Sequence, residues 1–464
     1  MIGTSGFRAI DGCVLGFLAA GLAAALPAWG AEGAPAPSEN PAPPRLTIYT
    51  HVTVIDGTGA PAVPDQAIVV EGERIKSVRS MAALAREPIA DARRVDLAGD
   101  FALPGLIDSH QHLGTRPNRR AAEAQLYRLV YGGVTAVRDM AGDDRFLAEL
   151  SRSSRLAEIP APDIYYSALM AGPEFFSDPR THAAAQSAEA GKVPWLQGIT
   201  APTDLVTAVA MARGTGASGI KIYADLPAAE VRRIVAEAHR QGFHVWSHAA
   251  IFPARPMDAV GAGVDSISHA QMLVYQFSDL RHATYASRPA MNLEGLNHDT
   301  TLLPTLFAAM RSRGTVLDAT VNTYFEADRN QPPDKPKRGP VGAQIARAAF
   351  RAGVEISAGT DFVPGADYPY PGLLQEMEAL VAQVGMTPAE AIHAATQASA
   401  RALQHEAEMG TIAPGKLANL VFVSHNPLDD LAALHDLVLT VKRGREYRRS
   451  DYRQPDKKSL EEDF

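Results

Sequence analysis

The sequence is almost free of cysteine. Its 464 residues contain one, Cys13, placed in the N-terminal leader. Beyond the leader there is no thiol, which excludes a disulfide framework and any cysteine-ligated metal. A metal site must then be built from histidine, carboxylate and lysine. A basic excess is also missing: 44 Lys and Arg stand against 52 Asp and Glu, for a net charge of −8. That balance argues against a nucleic-acid binder. Long apolar runs are absent too. Val14 to Pro27 is rich in Leu, Ala and Gly but too short for a stable membrane span. No glycine-rich phosphate loop follows the first strand of the main repeat, so an open dinucleotide-binding sheet is disfavoured.

What is present begins with an address. Arg8 supplies a weak positive start, offset by Asp11, and Ala28-Trp29-Gly30 fits a small-x-small cleavage site. Residues 1–30 read as a secretory signal peptide cut near Gly30, with a retained anchor as the alternative. A periplasmic or secreted location follows. Residues 31–44, rich in Pro and Ala, read as a disordered leader.

From Arg45 to Val54, and again from Ala67 to Val78, short apolar strands flank turns such as Asp56-Gly57-Thr58-Gly59. Residues 45–103 therefore form a small β-unit. From residue 104 the rhythm changes to strands alternating with Ala-rich helices. After the strand leading to His110, strands are expected at Gly133 to Arg138, Asp163 to Ala168, Gly219 to Tyr223, His244 to His248, Val264 to His269, Val316 to Val321 and Val354 to Asp361. Eight such repeats predict an α/β fold: a (β/α)8 TIM-type barrel over residues 104–405. Thr387-Pro388-Ala389-Glu390 reads as a helix start. Residues 406–447 return to strand, so both chain ends should build one β-sandwich flanking the barrel. Residues 448–464 read as a charged, frayed tail.

Polar side chains sit at the expected strand ends. His110 and His112, two apart, share one side of the first strand. Lys221 lies in the fourth strand, His248 ends the fifth, His269 the sixth and Asp361 the eighth. The C-terminal strand ends of a barrel share one face, where active sites are built. Four imidazoles, an amine and a carboxylate should converge there on metal. Each alone has a plainer explanation, His248 as a satisfied core histidine and Lys221 as an amine reaching outward; six such coincidences in this order do not arise by chance.

The order His-x-His, Lys, His, His, Asp resembles the amidohydrolase superfamily. The phrases Leu-Pro-Gly-Leu-Ile-Asp-Ser-His-Gln-His, Gly-Val-Thr-Ala-Val-Arg-Asp, Gly-Val-Asp-Ser-Ile-Ser-His-Ala and Gly-Thr-Ile-Ala-Pro-Gly-Lys-Leu-Ala-Asn are similar to its imidazolonepropionase-like and metal-dependent Xaa-Pro dipeptidase branch. Asn419 departs from the pattern, where relatives carry Asp, but lies outside the barrel. The resemblance implies a divalent cofactor, zinc first, as one or two ions. His110, His112 and Asp361 would hold the more buried ion, and His248 and His269 the outer one. Lys221 would bridge both as an N6-carboxylated lysine; an unmodified amine beside a single ion is the alternative. It implies a hydrolase that cleaves a C–N amide bond with metal-activated hydroxide, Asp361 serving as general base and acid. His269 or Tyr223 would steady the oxyanion, and Tyr223 equally could only pack there.

Substrate contacts are assigned to Arg138, Tyr223, Tyr368 and Tyr370. Arg138 would grip a substrate carboxylate or else form a structural ion pair. The loops Met170 to Pro179, Gln271 to Thr300 and Val363 to Pro371 should form the rim. His182, His282 and His298 read as exposed loop residues. The substrate expected is small, a dipeptide or N-acyl amino acid. Alternatives are a cyclic amide, a one-metal deamination, or a catalytically dead barrel acting as a scaffold. No nucleic acid or stable membrane span is expected, and a homo-oligomer is left open.

Overall fold

The structure is a computed structural model that describes residues 46–291, 302–329, 331–332, 335 and 337–461. The expected signal peptide, the disordered leader, His298 and the last three residues of the tail lie outside the described residues. Among the described residues no helix is long and apolar enough to cross a membrane.

The chain begins with β1 (Leu46–Val54), β2 (Val63–Glu71) and β3 (Arg74–Ser80), an antiparallel meander, followed by β4 (Arg93–Asp96) and β5 (Phe101–Pro104). Successive β1 side chains point to opposite faces. Ile48 is buried on one face and Tyr49 on the other, each in its own apolar cluster.

Gly105 is the step from this sheet into the barrel. A Cβ there would lie 2.2 Å from Thr135 Oγ1, so only glycine lets the chain pass. The barrel strands are β6 (Leu106–Gln111), β7 (Val134–Asp139) and β8 (Asp163–Ala171). A small side hairpin, β9 (Lys192–Val193) and β10 (Leu196–Gly198), adds onto β8. Then come β11 (Gly219–Ile222), β12 (His244–His248), β13 (Ser266–Ser268), β14 (Val316–Asp318) and β15 (Ile356–Ser357). Every neighbouring pair around the ring is parallel. Between β15 and β6 the ring closes through two backbone bonds, Ser109 N–H to Ala358 O (3.0 Å) and Asp361 N–H to His110 O (2.9 Å). The predicted capping box at Thr387 and Glu390 is present and starts the helix Pro388–His393.

After the barrel, β16 (Leu420–Val423), β17 (Leu437–Lys442) and β18 (Arg445–Arg448) join the first sheet, giving the order β18-β17-β16-β5-β1-β2-β3, with β4 on β1. A barrel flanked by β-structure from both chain ends is thus the fold expected from the sequence.

Two expectations need correction. The seventh strand stops at Asp318 instead of running to Val321. Val321 and Asn322 open the helix Val321–Arg329, because the buried Glu376 carboxylate accepts from both backbone N–H groups (2.9 and 2.7 Å). Its oxygens satisfy donors at the helix start that have no partner within the helix, and burial pushes its pKa up to about 8. The tail is also not frayed over residues 448–461. It docks through Arg120, which bonds Asp456 and Ser459, and through Leu460, 5% exposed.

The two sheets are locked by charge. Asp163, at the start of β8, receives Lys442 Nζ (3.0 Å) and Arg443 Nε (2.7 Å) from the end of β17. Asp163 and Lys442 are 4% and 3% exposed. Removing one member of a buried ion group leaves the others desolvated and unpaired. Asp163→Asn is expected to destabilise the protein by about 3–5 kcal/mol, read as a lower urea midpoint with an unchanged slope. An unchanged midpoint would show that this lock contributes nothing.

Candidate active site

One cavity of about 530 Å³ opens at the C-terminal ends of the barrel strands. His110, His112, Lys221, His248, His269 and Asp361 all line it, together with Tyr223. The strand ends impose this. β6 delivers His110, β11 Lys221 and β12 His248; His269 follows immediately on β13, and Asp361 lies four residues past β15, which stops at Ser357 short of the expected end. His269 (φ 77°) and Asp361 (φ 47°) both adopt left-handed backbone, uncommon away from glycine though borne better by Asp and His than by most residues. Such strain persists where surrounding structure over-determines it, commonly at functional sites.

His110 Nε2 lies 3.3 Å from His112 Nε2. Asp361 Oδ1 is 3.3 Å from His112 Nε2 and 3.7 Å from His110 Nε2, and Asp361 Oδ2 is 3.8 Å from His269 Nδ1. One donor atom each of His110, His269 and Asp361 fall within 4.8 Å of one another. This triad draws from both groups of ligands that the sequence separated. The His248 ring stands 4.6 Å from that of His269, centroid to centroid.

The tautomers favour metal binding. His110 Nδ1–H donates to the buried carboxylate Asp318 Oδ2 (2.7 Å), and His248 Nδ1–H donates to Ala250 O (3.2 Å). Each Nε2 is left with its lone pair free. His112 differs: its Nε2 stands 3.3 Å from Asp361 Oδ1, and that carboxylate outweighs burial and raises the imidazole above its ordinary pKa. The donor set of nitrogen and oxygen, without sulfur, suits zinc and similar divalent ions.

Burial dominates the titration of the site. It pushes the Lys221 ammonium down to about 7, partly opposed by Asp318. Burial also lowers His110, His248 and His269. It acts to raise Asp361, yet His110, His112 and His269 overcome it and hold that carboxylate well below its usual range. Lys221 Nζ donates to Ser268 Oγ (3.2 Å).

Three residues assigned to substrate binding lie off the cavity. Arg138 is wholly buried beneath the site and does not line the cavity. It donates to Ser109 O (2.7 Å), Ser266 Oγ (2.8 Å), Ala402 O (3.0 Å) and Asp318 Oδ2 (3.3 Å), so it is the structural ion pair. Tyr368 and Tyr370 also lie off the cavity. Their hydroxyls bond His435 Nε2 (3.1 Å) and His435 O (3.2 Å), turning both rings toward the C-terminal segment. Tyr223 does line the cavity, stacked between Phe175 (4.5 Å) and His248 (4.8 Å). His182 and His282 are exposed, as expected.

Sequence reasoning missed Asp318. It is fully buried at the end of β14 and also accepts from Ser109 Oγ (3.1 Å) and Ser268 Oγ (2.9 Å). The only signal was an acidic residue ending an apolar strand, Thr-Val-Leu-Asp. Tyr285, Tyr324, Arg180, Arg288 and Arg338 at the cavity were missed as well. Gly359 carried a clearer signal. A Cβ there would come within 2.1 Å of Asp318 Oδ1 and 2.8 Å of His110 Cβ, so the site needs glycine to close.

A parallel barrel with such side chains gathered at its C-terminal mouth is the architecture of a barrel hydrolase. The chain belongs to the amidohydrolase family, whose model matches residues 101–446. It is therefore an enzyme, a hydrolase of that family. It is similar to the ochratoxinase of Aspergillus niger, 24% identical over 443 residues with 84% of each chain covered. It is likewise similar to the imidazolonepropionase of Micrococcus luteus, 27% identical over 415 residues, covering 84% of this chain and 94% of that one. Among solved structures, a Xaa-Pro dipeptidase with bound methionine matches at TM-score 0.68 and 24% identity, over 87% of this chain and 100% of that one.

Asp318 fixes the tautomer of His110 and carries the charge that supports it. Asp318→Asn is expected to weaken divalent-metal affinity roughly 10- to 100-fold, measured by titration against a chelating dye. Unchanged affinity would show that His110 is oriented by other groups.

Proposed function

We propose that this enzyme hydrolyses the C–N amide bond of an N-acyl amino acid or dipeptide. The observation that carries this reading is the convergence of four imidazoles, Lys221 and Asp361 in one cavity. In our reading His110, His112, His248, His269 and Asp361 hold one or two divalent ions, zinc first. When bound, such an ion supplies a Lewis acid that polarises the substrate carbonyl and acidifies water.

The protein's own groups do the rest. Asp361 is the sole carboxylate among the described residues lining the cavity. It takes the proton of the attacking water and returns it to the leaving nitrogen. Lys221, with its pKa near 7, has a substantial neutral fraction at physiological pH. A neutral amine adds carbon dioxide and releases one proton, giving an anionic carbamate oxygen ligand. The Tyr223 hydroxyl is available to steady the charge on the carbonyl oxygen. Its ring also packs on His248 and restrains that imidazole. Arg180, Arg288 and Arg338 at the rim favour an anionic substrate, such as one ending in an amino-acid carboxylate. Hydrolysis of a cyclic amide is the second reading, supported by the similarity to imidazolonepropionase. The reading of residues 1–30 as a secretion signal supports a reaction outside the cytoplasm.

A dipeptide and N-acyl amino acid library, screened with zinc and bicarbonate, should yield a released amino acid. Metal analysis after mild purification is expected to show at least one equivalent; under half an equivalent would favour a scaffold. Asp361→Asn should abolish turnover while leaving the circular dichroism spectrum intact. Retained turnover would contradict the role given to Asp361.

A further inference from the structure

The cavity has two unlike walls. Phe175 and Arg180 follow β8 and Tyr223 follows β11. Tyr285 joins them by donating its backbone N–H to Asp225 Oδ1 (2.6 Å). Their rings meet edge-on or stacked, Tyr285 standing 5.4 Å from Phe175 and 5.5 Å from Tyr223. This wall is aromatic and internally satisfied. Across the barrel, after β13 and β14, stand Gln271, Tyr324 and Arg338.

Gln271 is anomalous. It is 1% exposed, lines the cavity, and neither its Oε1 nor its Nε2 has a hydrogen-bond partner. Among the described cavity-lining residues it alone has both a buried side-chain donor and a buried side-chain acceptor without a partner. Tyr324 is near enough to Gln271 for the amide to influence its hydroxyl, but the two do not meet in bonding geometry. The stem is wedged in place: a Cβ on Gly342, in the helix Gly339–Arg351, would lie 3.3 Å from Gln271 Cβ. Leucine or methionine would fill the same volume without orphaned polar atoms. Buried polar groups in folded proteins are nearly always paired, so the missing partner belongs in the cavity.

We propose that Gln271 is a specificity residue. Its carboxamide reads a neutral donor–acceptor pair, a second amide group, carried by the substrate away from the bond that is cut. A carboxamide presents one acceptor and two donors side by side, and another amide is its geometric complement. A carboxylate would leave the Gln271 oxygen facing a like acceptor, and an alkyl group would leave both ends of the side chain bare. The proposal rests on the amide-hydrolase reading of the site above.

The test uses two isosteric probes, N-(3-carbamoylpropanoyl)-phenylalanine and N-(4-methylpentanoyl)-phenylalanine. They differ only in whether the acyl end is an amide or a branched alkyl group. Binding to the metal-replete full chain is measured by calorimetry, which reads the Gln271 contact whether or not the probe is cut. Turnover, measured separately on the wider library, reports on the hydrolase reading itself. The wild type should bind the carbamoyl probe at least about tenfold more tightly, since a site built to pair a polar group rejects the analogue lacking it. Gln271→Leu should erase or reverse that preference. Its melting temperature should stay level or rise, because two orphaned polar atoms are removed, whereas a purely structural glutamine would give a fall. Gln271→Glu, which keeps the size but loses the donors, should also reduce the preference if Leu disturbs folding. Equal binding of the two probes by the wild type would overturn the proposal, showing that only water meets the amide. A preference that survives Gln271→Leu would overturn it too, placing the recognition elsewhere.

Discussion

The site depends on one buried carboxylate. Asp318 collects His110, Ser109, Ser268 and Arg138 around two oxygens in a place that water does not reach. Burial alone would neutralise it, but His110, Arg138 and Lys221 keep it ionised, with a pKa below its ordinary value. The charge in turn orients His110 and, through Ser268, reaches Lys221. Arg138 supplies the counter-charge from below, stacked over Trp246 at 4.8 Å. A buried ion group of this kind is weak evidence for stability. Its use here is orientation: it fixes which nitrogen of His110 faces the cavity.

The six candidate ligands were legible because a repeating β/α chain turns linear order into geometry. A residue at the C-terminal end of any strand lands on the same rim, so His110, Lys221, His248, His269 and Asp361 could be gathered without any knowledge of contacts. The same logic failed for Arg138. It ends a strand but points into the barrel interior, and period alone does not say whether a long cation reaches a substrate or a buried carboxylate. Asp318 was missed for the mirror reason: nothing local distinguishes a strand-ending Asp that faces solvent from one that anchors an imidazole. Tyr368 and Tyr370 sit in the right loop but are drawn aside by His435, a partner supplied by the end of the chain. The early helix at Val321 rests on Glu376, far away in sequence, and so was equally invisible.

The aromatic residues were illegible for a further reason. Tyr285 reaches the cavity from a loop, with its backbone N–H held by Asp225. Once placed, it completes a column of rings running from Phe175 through Tyr223 to His248, with Arg180 lying over Tyr223 and Tyr285. A candidate ligand is thereby packed against the same surface that would receive substrate. Affinity for the ion and fit to the substrate share side chains, and a change in one carries into the other.

The closing of the barrel has a mechanical consequence. β15 is two residues long, and backbone bonding between the last and first strands is confined to the two links at Ser109 and Asp361. That seam is the thinnest in the cylinder, and it is where His110 and Asp361 face each other, 3.7 Å apart. An ion gripped by both would act as a clasp, fastening the edges that the backbone scarcely joins. Metal would then be a structural closure as well as a reagent, and loss of the ion would loosen the molecule first at its own reacting centre.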